Sequence, residues 1–176
     1  MRYFGSIVFA LLLVGCTNSQ PQLPSNKVEK DNSFENIAEF NRLMVETEIR
    51  AIEHYVDSLQ EPFLRFDDGL YMYEQDKVSG DSIVKGDVVT IKYKITLFDG
   101  TECYNSETDG NKTFVLGTRS VERGLESCIS LLHKGSKAKI LIPSFLGHGV
   151  LGDLDCITPR TPILYELEII DLKKNE

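Results

Sequence analysis

The chain has 176 residues, of which 41% are hydrophobic, and this suits one globular domain with extensions around a packed core. Its formal net charge is −8 at pH 7, and the sequence contains no run or stripe of basic residues. Because nucleic-acid binding depends on basic groups that neutralise phosphates, the composition argues against a nucleic-acid partner.

The first residues have the pattern of a bacterial lipoprotein signal. An apolar run from Phe4 to Val14 follows Arg2 and has the length of a signal-peptide core, which is too short to cross a membrane as a mature helix. The run leads into Leu-Val-Gly-Cys at residues 13–16, which resembles a lipobox. We predict a signal peptide over residues 1–15 and lipidation of Cys16. The alternative is an ordinary secretory signal with a chance cysteine.

The residues around Cys16 also suggest a location. Several acyl chains on one cysteine hold a protein firmly on a membrane, because each buried CH₂ contributes roughly 0.8 kcal/mol. Thr17 is not the Asp that retains lipoproteins at the inner membrane in some bacteria, and no acidic cluster of the kind that marks export to the cell surface follows. We expect a lipid-anchored outer-membrane protein that faces the periplasm.

A tether and a helix follow the anchor. Residues 16–32 are rich in Asn, Ser, Gln and Pro, which predicts a flexible tether. Spacings of three and four then predict a helix over residues 33–61, with one apolar face: Val45, Ile49, Ile52, Val56 and Leu59. An isolated helix of this length is marginal, so this face should dock on the body of the same chain or, alternatively, on a second copy or a partner.

The remaining segments predict strands around a single helix. Residues 88–97, 138–142 and 163–172 alternate apolar and polar side chains, as half-buried strands do, and a shorter strand-like segment runs to Glu74. Between them, one set of residues at helical spacing predicts a short helix that ends near Gly135: Val121, Leu125, Cys128, Ile129 and Leu132. Few helices among many strands indicate an α+β domain with an antiparallel sheet.

The segment from Gly86 to Leu172 carries four blocks: GDVVTIKYKITLFDGTE, FVLGTRSVERGLE, HKGSKAKILIPSFLGHGVLG and TPRTPILYELEII. With these blocks it resembles the FK506-binding-protein (FKBP) type of peptidyl-prolyl cis-trans isomerase. The resemblance implies an isomerase domain over residues 66–174, in which an FKBP-like antiparallel sheet wraps around one short helix. A helical leader, a Gly-Leu-Tyr strand and the turn at residues 160–163 are similar to lipid-anchored members of gliding-motility type from the Bacteroidetes.

The reaction of this family sets what a site must provide. Rotation about an X-Pro bond faces a barrier of about 18–20 kcal/mol because amide resonance must be broken. A site lowers this barrier by binding the twisted imide better than the planar one, so it needs no metal and no cofactor. The resemblance assigns the catalytic pocket to six residues: Tyr93, Val121, Leu125, His148, Ile157 and Tyr165. Without the resemblance, core packing is the simpler interpretation of the tyrosines, Val121 and Ile157.

Three of these six residues depart from the family pattern. Tyr165 stands where phenylalanine is usual, and Leu125 stands where a tryptophan often forms the pocket floor. His148 occupies the position of a tyrosine whose hydroxyl donates a hydrogen bond to bound substrate. A neutral imidazole can still donate one hydrogen bond, and its charge varies near pH 6.5.

The substrate-binding rim also departs from the pattern. Cys103 and Tyr104 stand where Phe-Asp is expected, and Glu122 replaces an apolar residue whose backbone N–H can still serve. These changes imply weakened catalysis and poor binding of macrolide ligands. The resemblance places Cys156 on the loop over the pocket near Cys103, so we expect a disulfide between them while Cys128 stays buried. In the alternative, all three cysteines are small buried hydrophobes.

Two functions follow from the resemblance. The first is a membrane-anchored peptidyl-prolyl isomerase that assists folding of exported proteins and takes proline-containing polypeptides as substrates. The alternative is an FKBP-shaped binding or assembly module in an envelope complex, with little or no isomerase activity. The helix over residues 33–61 provides a surface for a dimer or a partner in either case.

Overall fold

The computed structural model describes residues 33–76 and 78–175, so the predicted signal peptide, lipidation site and tether lie outside the described residues. The helices and strands, in chain order, are α1 (Ser33–Leu59), β1 (Leu64–Arg65), β2 (Tyr71–Glu74), β3 (Val88–Thr96), β4 (Glu102–Asn105), α2 (Ser106–Asp109), β5 (Lys112–Val115), α3 (Arg123–Ile129), β6 (Lys137–Ile142) and β7 (Ile163–Lys173). A single 3-10 turn, Ser144–Leu146, follows β6.

The strands form one antiparallel sheet, in the order β1-β2-β6-β7-β3-β4. Strand β5 pairs with the Val88–Ile91 part of β3, and β4 pairs with the Lys94–Thr96 part. The alternation predicted for β3 is present, because Val89, Ile91 and Tyr93 are buried while Lys92 is exposed. The predicted α+β fold is confirmed.

The two faces of the sheet bury different helices. Along β6, Ile140 and Ile142 join the main core with Leu125 of α3, whereas Leu141 joins a second cluster with Ile52 of α1. Because successive side chains of a strand point to opposite faces, α1 packs on the face opposite α3. The second half of α1 therefore docks on the body of its own chain, as its apolar spacing predicts.

The first half of α1 lies differently. Phe34, Ile37 and Phe40 are 77%, 56% and 53% exposed, so the described part of the chain leaves these apolar side chains largely uncovered. Within residues 33–76 and 78–175, no helix is both long enough and apolar enough to cross a membrane.

Three helix boundaries differ from the sequence prediction. Helix α1 ends at Leu59 instead of residue 61, and Gln60 has a left-handed backbone with φ 54°. The residue before a proline avoids helical geometry, so Pro62 restricts Glu61 and the helix ends ahead of it. Helix α3 begins only at Arg123, which leaves Val121 in the bend before it, and it ends at Ile129 instead of near Gly135.

Helix α1 also holds both ends of the long loop between β6 and β7 (residues 143–162). Glu48 accepts hydrogen bonds from the backbone N–H and the hydroxyl of Ser144, the latter at 2.7 Å. At the other end of the loop, Arg160 Nη2 donates to Asn41 Oδ1 at 3.1 Å. Because this loop carries predicted pocket residues, α1 fixes the part of the chain that closes the site.

Candidate active site

A cavity of about 280 Å³ lies between the sheet, the start of α3 and the long loop. It is lined by residues from β3, β4, β5, the segment before α3 and the loop: Tyr93, Ile95, Tyr104, Lys112, Glu122, His148 and Asp153. Four of the predicted site residues, Tyr93, Tyr104, Glu122 and His148, therefore meet at one cavity. Sequence analysis missed the other three.

The remaining predicted site residues lie around this cavity. Leu125, Ile157 and Tyr165 are fully buried in the main core and do not line the cavity. Val121 lines a shallow depression next to it, together with Glu122 and His148. The fold thus supplies a buried floor, which consists of Leu125, Ile157 and Tyr165. A more polar wall lies in front of it and is formed by Cys103, Tyr104, Lys112, Glu122, His148, Asp153 and Cys156.

Tyr165 connects this floor to the wall. Its ring centroid lies 6.1 Å from that of Tyr93, with the two rings tilted by 40°. Its hydroxyl donates to Glu122 Oε1 at 3.1 Å and accepts from Lys112 Nζ at 2.9 Å. Burial raises the pKa of Tyr165 well above its usual value, so the hydroxyl stays neutral and keeps its proton for donation.

Glu122 places a carboxylate inside the pocket, and its side chain is only 9% exposed. Burial raises the pKa of Glu122, but the hydrogen bond with His148 and the charge of Lys112 outweigh burial and hold this pKa below its usual value. Among the described residues, the second oxygen, Oε2, is buried without a hydrogen-bond partner. The pocket therefore contains an ionised carboxylate with unused acceptor capacity.

His148 faces this carboxylate, with Nε2 3.2 Å from Glu122 Oε1. The hydrogen bond with Glu122 raises the pKa of His148 more than burial lowers it, so the ion pair favours the imidazolium form. The resemblance assigns this ring a hydrogen bond to substrate. In this structure Nε2 faces the Glu122 carboxylate instead, but the contact is poorly aligned, so among the described residues Nε2 lacks a well-directed hydrogen bond and the interaction is chiefly an ion pair.

Lys112 is the main pocket residue that sequence analysis missed. Its Nζ lies 4.9 Å from the ring centroid of Tyr93, within the range of a cation–π contact, and it reaches Tyr165 at the hydroxyl end of the ring, at 2.9 Å. It also lies 3.8 Å from Glu122 Oε1. A signal was present in the sequence, since Lys112 precedes the buried Phe114 by two residues and therefore shares its face of β5.

Tyr104 and Asp153 form a second pair across the cavity. The Tyr104 hydroxyl donates to Asp153 Oδ2 at 2.5 Å, and this bond raises the pKa of Tyr104 to about 12. The other oxygen, Oδ1, accepts the backbone N–H groups of Asp155 and Ile157 at 3.0 Å and 2.8 Å. The family pattern has a carboxylate where this chain has Tyr104, and here Asp153 of the loop supplies a carboxylate beside that position. Sequence analysis did not place Asp153 there because loop geometry has no periodic pattern.

A disulfide ties the loop to the rim. Cys103 of β4 and Cys156 of the loop are bonded, with an S–S distance of 2.03 Å and a sequence separation of 53 residues. Cys128 is a free and buried thiol on α3, where burial raises its pKa to about 12. The cross-link lies beside the Tyr104–Asp153 hydrogen bond, so two neighbouring connections hold this side of the loop.

The described residues contain no cluster of three or more His, Cys, Asp and Glu side chains arranged to hold a metal ion. The cavity combines the aromatic face of Tyr93 with the apolar side chain of Ile95 and a set of charged groups. Such a site can bury a proline ring and can exert an electric field on a carbonyl group beside it.

A family model for FKBP-type peptidyl-prolyl cis-trans isomerases matches residues 80–170, which include every residue that lines the cavity. The chain belongs to this family. The matched segment therefore contains β3 to β6, most of β7, α3 and the long loop, while α1, β1 and β2 lie ahead of it along the chain.

Individual relatives agree with this assignment. The chain is similar to an FK506-binding protein from Neisseria meningitidis serogroup C, with 32% identity over 93 residues, which cover 52% of this chain and 84% of that protein. It is 36% identical to FK506-binding protein 3 from Dictyostelium discoideum over 90 residues, which cover 50% of this chain but only 46% of the relative. Among solved structures, FkpA from Escherichia coli is similar with a TM-score of 0.64 and 26% identity, and the superposition covers 86% of this chain and 74% of FkpA.

Proposed function

We propose that the protein is a membrane-anchored peptidyl-prolyl cis-trans isomerase that assists the folding of exported proteins. The observation that carries the proposal is the cavity within the FKBP-type domain, where Tyr93 and Ile95 offer apolar surface for a proline ring. Proline-containing polypeptides are the substrates that fit this surface. The closely packed floor behind the cavity holds the wall residues in fixed positions, so the cavity can favour one geometry of a bound imide over another.

The mechanism needs discrimination between a planar and a twisted imide. Twisting breaks the resonance between the imide nitrogen and the carbonyl group, and it turns the carbonyl oxygen in a new direction. The imidazole of His148 lies beside the cavity and can donate a hydrogen bond to the carbonyl oxygen once twisting has turned that oxygen towards it. Burial of the ring against Tyr93 keeps water away from the reacting bond. Both effects act on the twisted state without any covalent step.

The anchoring half of the proposal rests on the amino terminus. The apolar run over residues 4–14 and the lipobox at residues 13–16 support lipidation of Cys16, and residues 16–32 supply a tether. We place the protein on the outer membrane, facing the periplasm, within the lipoproteins of gliding-motility type from the Bacteroidetes. Intact-mass analysis of the full chain from bacterial membranes tests this: loss of residues 1–15 with added acyl mass is expected, and Cys16→Ala should remove that mass.

The catalytic half is tested with a protease-coupled assay on a proline tetrapeptide, using the full chain in detergent. Acceleration over the uncatalysed rate is expected, and Tyr93→Leu should reduce kcat/KM by about tenfold or more because it removes the aromatic face. The matched control is Tyr73→Leu, a half-buried tyrosine on β2 that does not line the cavity. A rate equal to the uncatalysed one would reject the catalytic proposal.

One observation favours the alternative of a binding or assembly module. The first half of α1 exposes Phe34, Ile37 and Phe40 on the surface, which suits a second copy of the chain or another envelope protein. Analytical ultracentrifugation of the full chain in matched-density detergent separates the two ideas. A monomer with isomerase activity supports the isomerase, whereas an inactive dimer that Phe40→Ser dissociates supports the module.

A further inference from the structure

Lys112 has unusual surroundings for a lysine on a surface strand. Its side chain is 29% exposed, and its ammonium lies over the ring of Tyr93, at 4.9 Å from the ring centroid. The Tyr165 hydroxyl accepts a hydrogen bond from it at 2.9 Å, and Glu122 lies 3.8 Å away. The ammonium therefore sits inside the pocket that the proline ring would enter.

An aromatic face, a hydroxyl acceptor and a buried carboxylate are groups that recognise an ammonium ion. Ring quadrupoles attract a cation, and the attraction grows where water is excluded. A buried carboxylate adds a charge that water screens only weakly. Tyr93, Tyr165 and Glu122 supply these groups from β3, β7 and the segment before α3. We call these three residues the ammonium cage.

We propose that the ammonium cage is a binding site for a primary ammonium ion and that the ammonium group of Lys112 occupies it as its guest. A proline ring must then displace Lys112 to reach Tyr93. The displacement half rests on the proposed isomerase function, whereas the binding half does not. Lys112 is thereby a determinant of specificity and rate, since a substrate is bound only when its proline outcompetes the chain's own ammonium.

Lys112 fills the cage incompletely. The distance of 3.8 Å from Nζ to Glu122 Oε1 is too long for a hydrogen bond. Glu122 Oε2 remains buried without a hydrogen-bond partner in the described part of the chain. Because the backbone of β5 fixes the start of the lysine side chain, its ammonium cannot move closer without cost. A free alkylammonium has no such restraint and can donate directly to Glu122.

The first test removes the guest. Lys112→Ala in the full chain, in detergent, should raise kcat/KM for a Leu-Pro tetrapeptide by about tenfold, which is the loss of one desolvated cation–π competitor. Lys94→Ala is the matched control, because Lys94 is a 39% exposed lysine of β3 that pairs with Glu166 away from the cavity. Its kcat/KM should change by less than about twofold. Unchanged or lower activity in Lys112→Ala would overturn the displacement half.

The second test supplies a replacement guest. Isothermal titration calorimetry should detect n-butylammonium binding to Lys112→Ala and no binding to the natural chain, whose cage is occupied. The neutral analogue n-butanol should bind to neither. Glu122→Gln in the Lys112→Ala background keeps the shape of the side chain and removes its charge, so it should abolish n-butylammonium binding. In the assay, n-butylammonium should return Lys112→Ala towards the activity of the natural chain.

The outcomes separate the two halves of the inference. If n-butylammonium fails to bind Lys112→Ala while that variant unfolds at the same urea concentration as the natural chain, the cage does not exist. If n-butylammonium binds but every variant lacks isomerase activity, the cage stands and the proposed function fails. Equal binding of n-butylammonium and n-butanol would also overturn the proposal, because an apolar cavity, and not an ammonium site, would then explain the affinity.

Discussion

The floor and the wall of the pocket are built in different ways. The floor consists of Leu125, Ile157 and Tyr165, which are fully buried and held by packing in the main core. The wall consists of polar or cross-linked pairs from different elements: Cys103 with Cys156, Tyr104 with Asp153, and His148 and Lys112 with Glu122. Departures from the family pattern in the floor stay buried, whereas each departure in the wall has a partner.

This difference shows how the residues of a pocket can change while the fold stays the same. A floor residue belongs to the core, so a change there must preserve volume. A wall residue borders solvent, so a polar replacement is tolerated when a second residue satisfies its charge or hydrogen bond. The wall is therefore best understood as pairs, and reverting one member alone would leave the other unsatisfied.

The largest effect is expected in the floor. Leu125→Ala should lower the free energy of unfolding by about 3–4 kcal/mol, since a fully buried leucine loses its contacts and leaves a cavity. Urea denaturation of the full chain in detergent measures this. Leu131→Ala, at a half-exposed position after α3, is the matched control and should cost less than about 1 kcal/mol. Equal effects at both positions would contradict a floor held by packing.

The disulfide should be the strongest connection in the wall. Replacing Cys103 and Cys156 by serine together should lower the free energy of unfolding by about 2–3 kcal/mol, because a link across 53 residues restricts the unfolded chain. Cys128→Ala provides the comparison at a buried free thiol. In denaturant, alkylation of the chain from Ser33 onwards should add one label before reduction and three after it. Three labels without reduction would show that Cys103 and Cys156 are not bonded to each other.

The pair of Glu122 and His148 should show its contribution in the dependence of stability on pH. The folded pKa of His148 is raised, so its contribution is present below the unfolded value of about 6.5 and is lost as pH rises through the folded pKa. The folded pKa of Glu122 is lowered, so its contribution is present above about pH 4.3 and is lost as pH falls through the folded pKa.

Between about pH 4.5 and 6.5, therefore, Glu122→Gln should lower the free energy of unfolding by about 1 kcal/mol, and this loss should shrink above and below that window. Urea denaturation at a series of pH values measures the difference between the two chains. Glu126→Gln, a residue of α3 outside the cavity lining, is the matched control. A difference independent of pH would mean that Glu122 and His148 do not act as an ion pair.

The smallest effect is expected for the pair of Tyr104 and Asp153. Tyr104→Phe should lower the free energy of unfolding by about 0.5–1 kcal/mol, because one hydrogen bond is lost while the loop keeps its disulfide. The double-mutant cycle with Asp153→Asn isolates the pair. A coupling free energy close to zero would show that this bond does not contribute to the wall.

The regular part of the structure could be predicted from the sequence because it is periodic. Alternation along Val88–Thr96 predicted β3, and spacings of three and four predicted the face of α1 that carries Ile52. Periodicity could not show how much of that face the chain itself covers. The first half of α1 also carries apolar residues at helical spacing, yet Phe34 is 77% exposed in the described part of the chain.

The wall could be predicted only in part, because its pairs join positions far apart in sequence. The resemblance indicated Tyr104, Glu122 and His148, and it paired Cys103 with Cys156. It gave no indication of Asp153, which depends on hydrogen bonds within an irregular loop. Lys112 was missed although it shares a face of β5 with Phe114, because a four-residue strand has only two residues on each face and the signal is weak.

A working proline site should persist behind this paired wall. The most direct measurement is NMR exchange spectroscopy of a Leu-Pro peptide mixed with a small amount of the full chain in detergent. The account predicts exchange between the cis and trans signals that is faster than in the peptide alone, and loss of this acceleration with Tyr93→Leu. An absence of acceleration, or an acceleration that survives Tyr93→Leu, would contradict it.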